Sequence, residues 1–267
     1  MSGATVGRPE VLERHRELGP GETFSFACHP GLSCFGACCA DVNIVLTPLD
    51  VLGLARRLGL NTTVFLARHA ITLESPDLGL PVVTLRMEER EGRPCPFAGP
   101  AGCSVYEDRP WACRMYPVGM ALPPARAGER PEPRYFLFED AWCLGGREGR
   151  SWTVETWRAD QGIPEREEIE AGFRALVSHP WFIGGRRLDP RRASMFFTAC
   201  YDLDRFRAFV FESSFRDRFV LDHVLEERLA HDDLELLRFG FRWLRFAVFG
   251  ERTLQVRPHR PGGGRST

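Results

Sequence analysis

The sequence predicts an α+β protein: a small, irregular, cysteine-rich metal-binding core of short strands and helices, followed by an α-helical C-terminal region. Two observations predict it. Eight of the nine cysteines fall between Cys28 and Cys143, in text where short apolar runs alternate with Gly- and Pro-rich turns, the pattern of short strands. Beyond about residue 160 the apolar positions recur at helical spacing and strand signals are few. The expected organisation is an N-terminal segment 1–22, a cysteine-cluster domain 23–160, a helical region 161–256 and a disordered tail 257–267, the last rich in Pro, Gly and Arg.

Taken in order, Thr23–Ala27, Asn43–Leu46, Pro81–Met87 and Arg134–Phe138 read as strands. Thr47 followed by Pro48 is a cap and first-turn pair. Leu49, Leu52, Leu54, Ala55 and Leu58 follow as an apolar stripe, and Gly59 stands where that helix stops. A second helix runs from Thr62 or Thr63 to Ala70. In the C-terminal region helices are predicted over Glu165–Ser178, Ser194–Phe211 and Asp232–Phe249. Their aromatics, among them Phe196, Phe206 and Phe241, are at core spacing, and the acidic run Glu165–Glu170 reads as a solvated helix face.

Composition excludes several functions. At 267 residues and 43% hydrophobic content the chain buries a core without help from a metal. A net charge of -1, from 35 basic against 36 acidic residues, gives no electrostatic pull towards nucleic acid or an anionic membrane. All 35 basic residues are arginine, so no Schiff-base lysine, pyridoxal-phosphate anchor or phosphate-loop lysine exists. No signal-peptide pattern and no apolar run of about 18 residues appears, which leads us to expect a cytoplasmic protein. In that reducing compartment thiols remain free to ligate metal and do not persist as disulfides.

The thiols are arranged as Cys28-x5-Cys34-x3-Cys38-Cys39, then Cys95-Pro96-Phe97, then Cys103 to Cys113, and finally Cys143. Thiolates select zinc or iron–sulfur centres, and four of them close one tetrahedral site or hold one cluster. Eight suffice for two sites, or for one with spares. Cys34 and Cys38 share a face if the chain is helical there. Cys38 and Cys39 require either a tight turn at Gly36 or two different roles. No Cys-x2-Cys pair and no His-x3-His follow, which argues against a conventional zinc finger.

Other candidates are secondary. Arg109 and Arg114 flank Cys113, where their donors either reach cluster sulfurs or pair with Glu107 and Asp108. Pro110 and Pro117 bracket a short helical turn bearing Cys113, and Tyr106 and Tyr116 pack around it. His29 is expected beside the centre or at the surface, and Cys200 as an inert buried thiol.

The segments CFGACC at 34–39 with Cys28 ahead, CPF at 95–97, CSVYEDRPWACRMYP at 103–117 and Cys143 together resemble the YkgJ-type cysteine cluster family (CxxCxxCC), a zinc- or iron-chelating domain, over about residues 24–160. The spacings x5 and x3 depart from the compact form of the family label. The resemblance implies a metal-binding core, with an iron–sulfur cluster of the 4Fe–4S type as the expectation and zinc as the alternative, serving a redox role towards a redox or protein partner. The same region is similar to the cysteine region of flagellin lysine N-methylases, which implies a second possibility, methyl transfer from S-adenosylmethionine. Against that stand the lack of a glycine-rich methyltransferase loop and Asp41, at the position where a radical-type Cys-x3-Cys-x2-Cys would need its third cysteine.

Overall fold

A computed structural model describes residues 14–122 and 132–258. Its strands are short. β1 (Arg16–Leu18) and β2 (Thr23–Ser25) open the described chain. They are followed by α1 (Pro48–Arg57), α2 (Thr62–His69) and an antiparallel pair, β3 (Ala70–Glu74) with β4 (Pro81–Leu85). A two-residue hairpin follows, β5 (Ala98–Gly99) and β6 (Gly102–Cys103), then α3 (Trp111–Met115), β7 (Val118–Ala121), β8 (Arg134–Leu137) and β9 (Ser151–Thr153). β8 lies between β1 and β7 in a three-stranded antiparallel sheet, while β2 pairs with β9. The remainder is helical: α4 (Val154–Asp160), α5 (Ile163–Ile169), α6 (Ala171–Val177), α7 (Pro190–Cys200), α8 (Leu203–Glu212), α9 (Phe215–Arg218), α10 (His223–His231) and α11 (Asp233–Ala247).

The predicted α+β arrangement with a helical C-terminal half is observed. α1 starts as its sequence requires: the Thr47 hydroxyl accepts from the Asp50 N–H and the Asp50 carboxylate accepts from the Thr47 N–H, a capping box with Pro48 in the first turn. Gly59, at φ 65°, lies just beyond its end.

Three expectations are corrected. Residues 43–46 are not a strand; they touch β4 through a single bridge, Val45 to Thr84. The predicted helix Glu165–Ser178 is broken at Glu170, which is 3% exposed and therefore not on a solvated face. Its carboxylate turns inward to accept the Leu49 N–H at the start of α1 (3.1 Å), satisfying a donor that the first helical turn leaves unpaired. The predicted helix Ser194–Phe211 is likewise two helices, because Asp202 caps α8 by accepting the Arg205 N–H. From residue 259 onward the expected tail lies outside the described residues.

Two apolar clusters organise the chain. The larger joins Leu54, Phe65, Val83 and Val105 to Phe196, Phe206, Leu237 and Leu244, so the helical half packs on α1, α2 and β4. The aromatics there are core, as their spacing predicts, and Cys200 is fully buried among them. The smaller cluster contains Phe24, Phe26, Met115, Trp152, Trp157 and Ile163; Phe26 stands two residues before Cys28 and Met115 two residues after Cys113. No described helix is long and apolar enough to cross a membrane.

Helix contact at the larger core depends on Gly240. A Cβ there would lie 2.5 Å from the Ala199 carbonyl oxygen, an atom of helix backbone that cannot step aside without moving α7. Alanine normally favours a helix over glycine by ~1 kcal/mol. Here Gly240→Ala is expected to destabilise by about 1–3 kcal/mol through overpacking, read as a lowered midpoint in urea with an unchanged slope.

Candidate metal centre

The eight predicted cysteines lie on four separate pieces of chain, which a few specific contacts tie to one another. Past β2 the chain makes a series of turns: Leu32 N–H to His29 O (3.1 Å), Phe35 N–H to Leu32 O (2.9 Å), Ala37 N–H to Cys34 O (2.9 Å) and Cys39 N–H to Gly36 O (3.0 Å). Gly36 adopts φ 81°, and a 3-10 turn over Ala37–Cys39 follows. This is the tight turn that two adjacent cysteines require, and it brings Cys38 Sγ and Cys39 Sγ to 4.0 Å. Cys95 docks directly on that turn, its N–H bonded to Cys39 O at 2.6 Å. Cys103 lies opposite Ala98 in the β5–β6 hairpin, whose Gly102 sits under the Phe35 ring.

Cys113 is carried by α3, bracketed as predicted by Pro110 at its N-cap and Pro117 after its C-cap. Two indoles fix the neighbourhood: Trp157 donates to Met115 O and Trp152 to Phe26 O, both at 2.9 Å. Cys143 follows Trp142, whose ring stacks on Tyr116, and Tyr116 stacks in turn on Phe138. The Tyr116 hydroxyl donates to Asp140 (3.0 Å), and burial, with Cys143 and Asp140 nearby, raises its phenol. The Leu144 N–H donates to Cys34 Sγ at 3.2 Å, which ties the Cys143 loop to the first cluster. A cleft of about 440 Å³ between β2 and the end of β8 reaches Cys143.

All nine cysteines are free thiols. Among the described residues no set of three or more Cys, His, Asp or Glu side chains is already drawn in around one ion. Burial, with a smaller contribution from Cys38, Cys143 and Cys34, raises Cys28 to about 11. Cys113 has an exposed edge but is crowded by protein on its other sides; burial, then Cys95 and Asp50, raises it to about 12. The crowding governs the shift, because it is the sulfur's surroundings that solvate a thiolate. Cys38 behaves differently. The hydrogen bond from Cys39 stabilises its thiolate and lowers it to about 7, while the same bond holds the Cys39 proton well above the usual thiol range.

Arg109 and Arg114 do not donate to any cysteine sulfur among the described residues. Arg109 bonds Tyr106 O (2.7 Å) and Gln161 Oε1 (2.6 Å), and Arg114 bonds Arg109 O (3.0 Å), Gln161 O (3.1 Å) and Glu107 O. Both guanidiniums hold the lead-in to α3 against the end of α4, so they position Cys113 by backbone contacts. Neither forms the expected pair with Glu107 or Asp108. His29 is a surface residue whose Nδ1 accepts the Gly31 N–H and whose Nε2 faces Glu148 at 3.5 Å.

Sequence reasoning missed the residue beneath Cys113. Asp50 is fully buried, and besides capping α1 it accepts the Trp111 N–H (2.9 Å) at the start of α3 and pairs with Arg166 of α5. Burial, only partly offset by Arg166, raises its carboxyl. Glu170, buried beside it, is raised to about 7 by burial and by the Asp50 charge. The capping-box spacing of Thr47 and Asp50 was the only sequence signal, and it does not foretell a second role 61 residues away.

Eight free thiols on turns and one short helix, beside a helical half whose one cysteine is buried, are the donor chemistry of a cysteine-rich metal-chelating protein. Residues 27–143 match the CxxCxxCC family model, described as a "putative zinc- or iron-chelating domain"; the cysteine-bearing part of the chain is similar to that domain. No curated protein and no solved structure matches the chain.

Proposed function

We propose that the domain holds an iron–sulfur cluster of the 4Fe–4S type and serves in electron transfer or another redox role, in the cytoplasm, with a redox or protein partner and without nucleic acid or membrane. The observation that carries this reading is the donor set: eight free thiols between Cys28 and Cys143, with His29 turned to Glu148. An all-sulfur set selects soft metals. Adjacent cysteines on a 3-10 turn and spacings unlike those of fingers favour a cluster over a single zinc ion. The chain's own groups hold the thiols in place, bury part of each and, at the Leu144 N–H on Cys34 Sγ, supply a hydrogen bond to sulfur of the kind that tunes a cluster's potential.

Protein purified without oxygen is expected to be brown, to contain iron and acid-labile sulfide, and to bleach reversibly on reduction. Colourless protein with stoichiometric zinc and no sulfide overturns the reading in favour of the zinc alternative that the family description also names. Calorimetric titration with S-adenosylmethionine tests the methylase alternative, and no heat of binding is expected.

A further inference from the structure

We propose that β3 is the seam of a symmetric dimer, in which the strand pairs antiparallel with β3 of a second copy of this chain. The proposal is independent of what the thiols bind.

β3 has a single strand neighbour, β4. The bonds on that side fix which backbone groups face away from it. Ser75 N–H donates to Leu80 O and Arg86 N–H to His69 O, both at 2.8 Å, in the register that pairs Ile71 with Thr84 and Leu73 with Val82, so the odd-numbered residues of β3 bond β4. The even-numbered ones face outward. Ala70 is already occupied, its N–H bonding Leu66 O and its carbonyl accepting from the Arg86 guanidinium (2.8 Å). Thr72 and Glu74 remain, each turning a backbone N–H and C=O towards solvent.

One face of the ribbon is apolar as well. Val45 bridges Thr84, which pairs with Ile71, and Val82 pairs with Leu73, so these four hydrophobic side chains stand on one face. Val45 is 49%, Ile71 38% and Leu73 55% exposed. Single exposed hydrophobics are ordinary, but a contiguous group beside an unpaired strand edge marks an interface. Thr72, on the opposite face, is exposed too, so the described residues cover the edge from neither side.

The edge is complementary to itself. With Thr72 opposite Glu74 of the second copy, every outward N–H of both strands finds an outward C=O. Other centres lose bonds: one on Thr72 turns Glu74 to the occupied Ala70, and one on Glu74 turns Thr72 to Pro76, which has no N–H. In the favoured register Leu73 meets its own counterpart on the axis as a non-hydrogen-bonded pair, the kind in which side chains approach most closely. Charge agrees with this direction. Arg68 and Arg86 stand at the start of β3 and Asp77 in the turn beyond its end, and neither Arg68 nor Asp77 has an ion pair among the described residues. The Glu74 carboxylate is held by Arg187 of its own chain (2.9 Å). Antiparallel pairing lays each basic end beside the Asp77 turn of the other copy, whereas parallel pairing sets like charges together.

Sedimentation of the full-length protein over a concentration series tests the dimer, beside Leu73→Lys, Thr72→Pro, Arg68→Glu, the double variant Arg68→Glu/Asp77→Arg and, on α10, Val224→Lys. The wild type and Val224→Lys are expected to dimerise alike. Leu73→Lys and Thr72→Pro each act twice in a symmetric pair and are expected to raise the dimer dissociation constant at least about tenfold, with unchanged circular dichroism. Arg68→Glu is expected to weaken the dimer less, and adding Asp77→Arg to restore it. A wild type that stays monomeric into the millimolar range, or a dimer indifferent to Leu73→Lys and Thr72→Pro, overturns the proposal. So does a monomer that binds anilinonaphthalene sulfonate until Leu73→Lys abolishes the binding, which would assign the apolar face to a different partner.

Discussion

Asp50→Ala is expected to cost about 3–5 kcal/mol of folding stability, measured by urea unfolding of the metal-free protein, with a loss below about 1 kcal/mol refuting the account. The size follows from what one carboxylate satisfies. Asp50 is fully buried and accepts from the Thr47 N–H, the Trp111 N–H and the Arg166 guanidinium. Removing it leaves a guanidinium whose side chain is only 16% exposed without its counter-charge, and two backbone donors without acceptors. An uncompensated buried charge costs more than the pair contributed when intact. Asp50→Asn, which keeps an acceptor but not the charge, is expected to fall between. The substitution also reaches the thiols, because the Trp111 contact anchors the first turn of the helix bearing Cys113. Glu170 supplies an independent readout: its carboxyl is held up partly by the Asp50 charge, so its titration is expected to move down in either variant.

The same residue shows where sequence stops being informative. The eight clustered cysteines, the helix with its Thr47-Pro48 start and the turn at Gly36 were legible because each is a local pattern: soft donors in a dense run, a cap followed by proline, a glycine before adjacent cysteines. Strands β3, β7 and β9 were not. β3 follows α2 without a turn residue and leaves Ile71 and Leu73 exposed, so no alternation marks it, while β9 is three residues long and ends directly at the cap of α4. Glu170 read as solvent-facing because it closes an acidic run, and only the distant N-terminus of α1 explains why it is buried and why the helix breaks there. Arg109 and Arg114 illustrate the same limit. Flanking a cysteine placed them near the centre, but Gln161, 47 residues beyond Arg114, determines where their donors go.

Metal affinity is expected to fall steeply with acidity, by about a factor of ten per pH unit for each proton a ligand must lose. The sign follows from the thiols. Cys28 and Cys113, at about 11 and 12, and Cys39 and Cys95, also raised, keep their protons at neutral pH in the metal-free fold, so an entering ion displaces protons and binding tightens as pH rises. Cys38, at about 7, is the exception. It is already a thiolate above neutrality and adds to the slope only below it, which makes it the ligand first ready to receive an ion. Between pH 7.5 and 8.5, competition with a chromophoric chelator is therefore expected to show a rise of at least about a hundredfold in affinity for an ion that displaces two or more of these protons, on the factor of ten per displaced proton. A rise below about tenfold would mean that these thiols ionise before metal arrives. The Cys38–Cys39 hydrogen bond would then be unable to hold one proton of the pair while releasing the other.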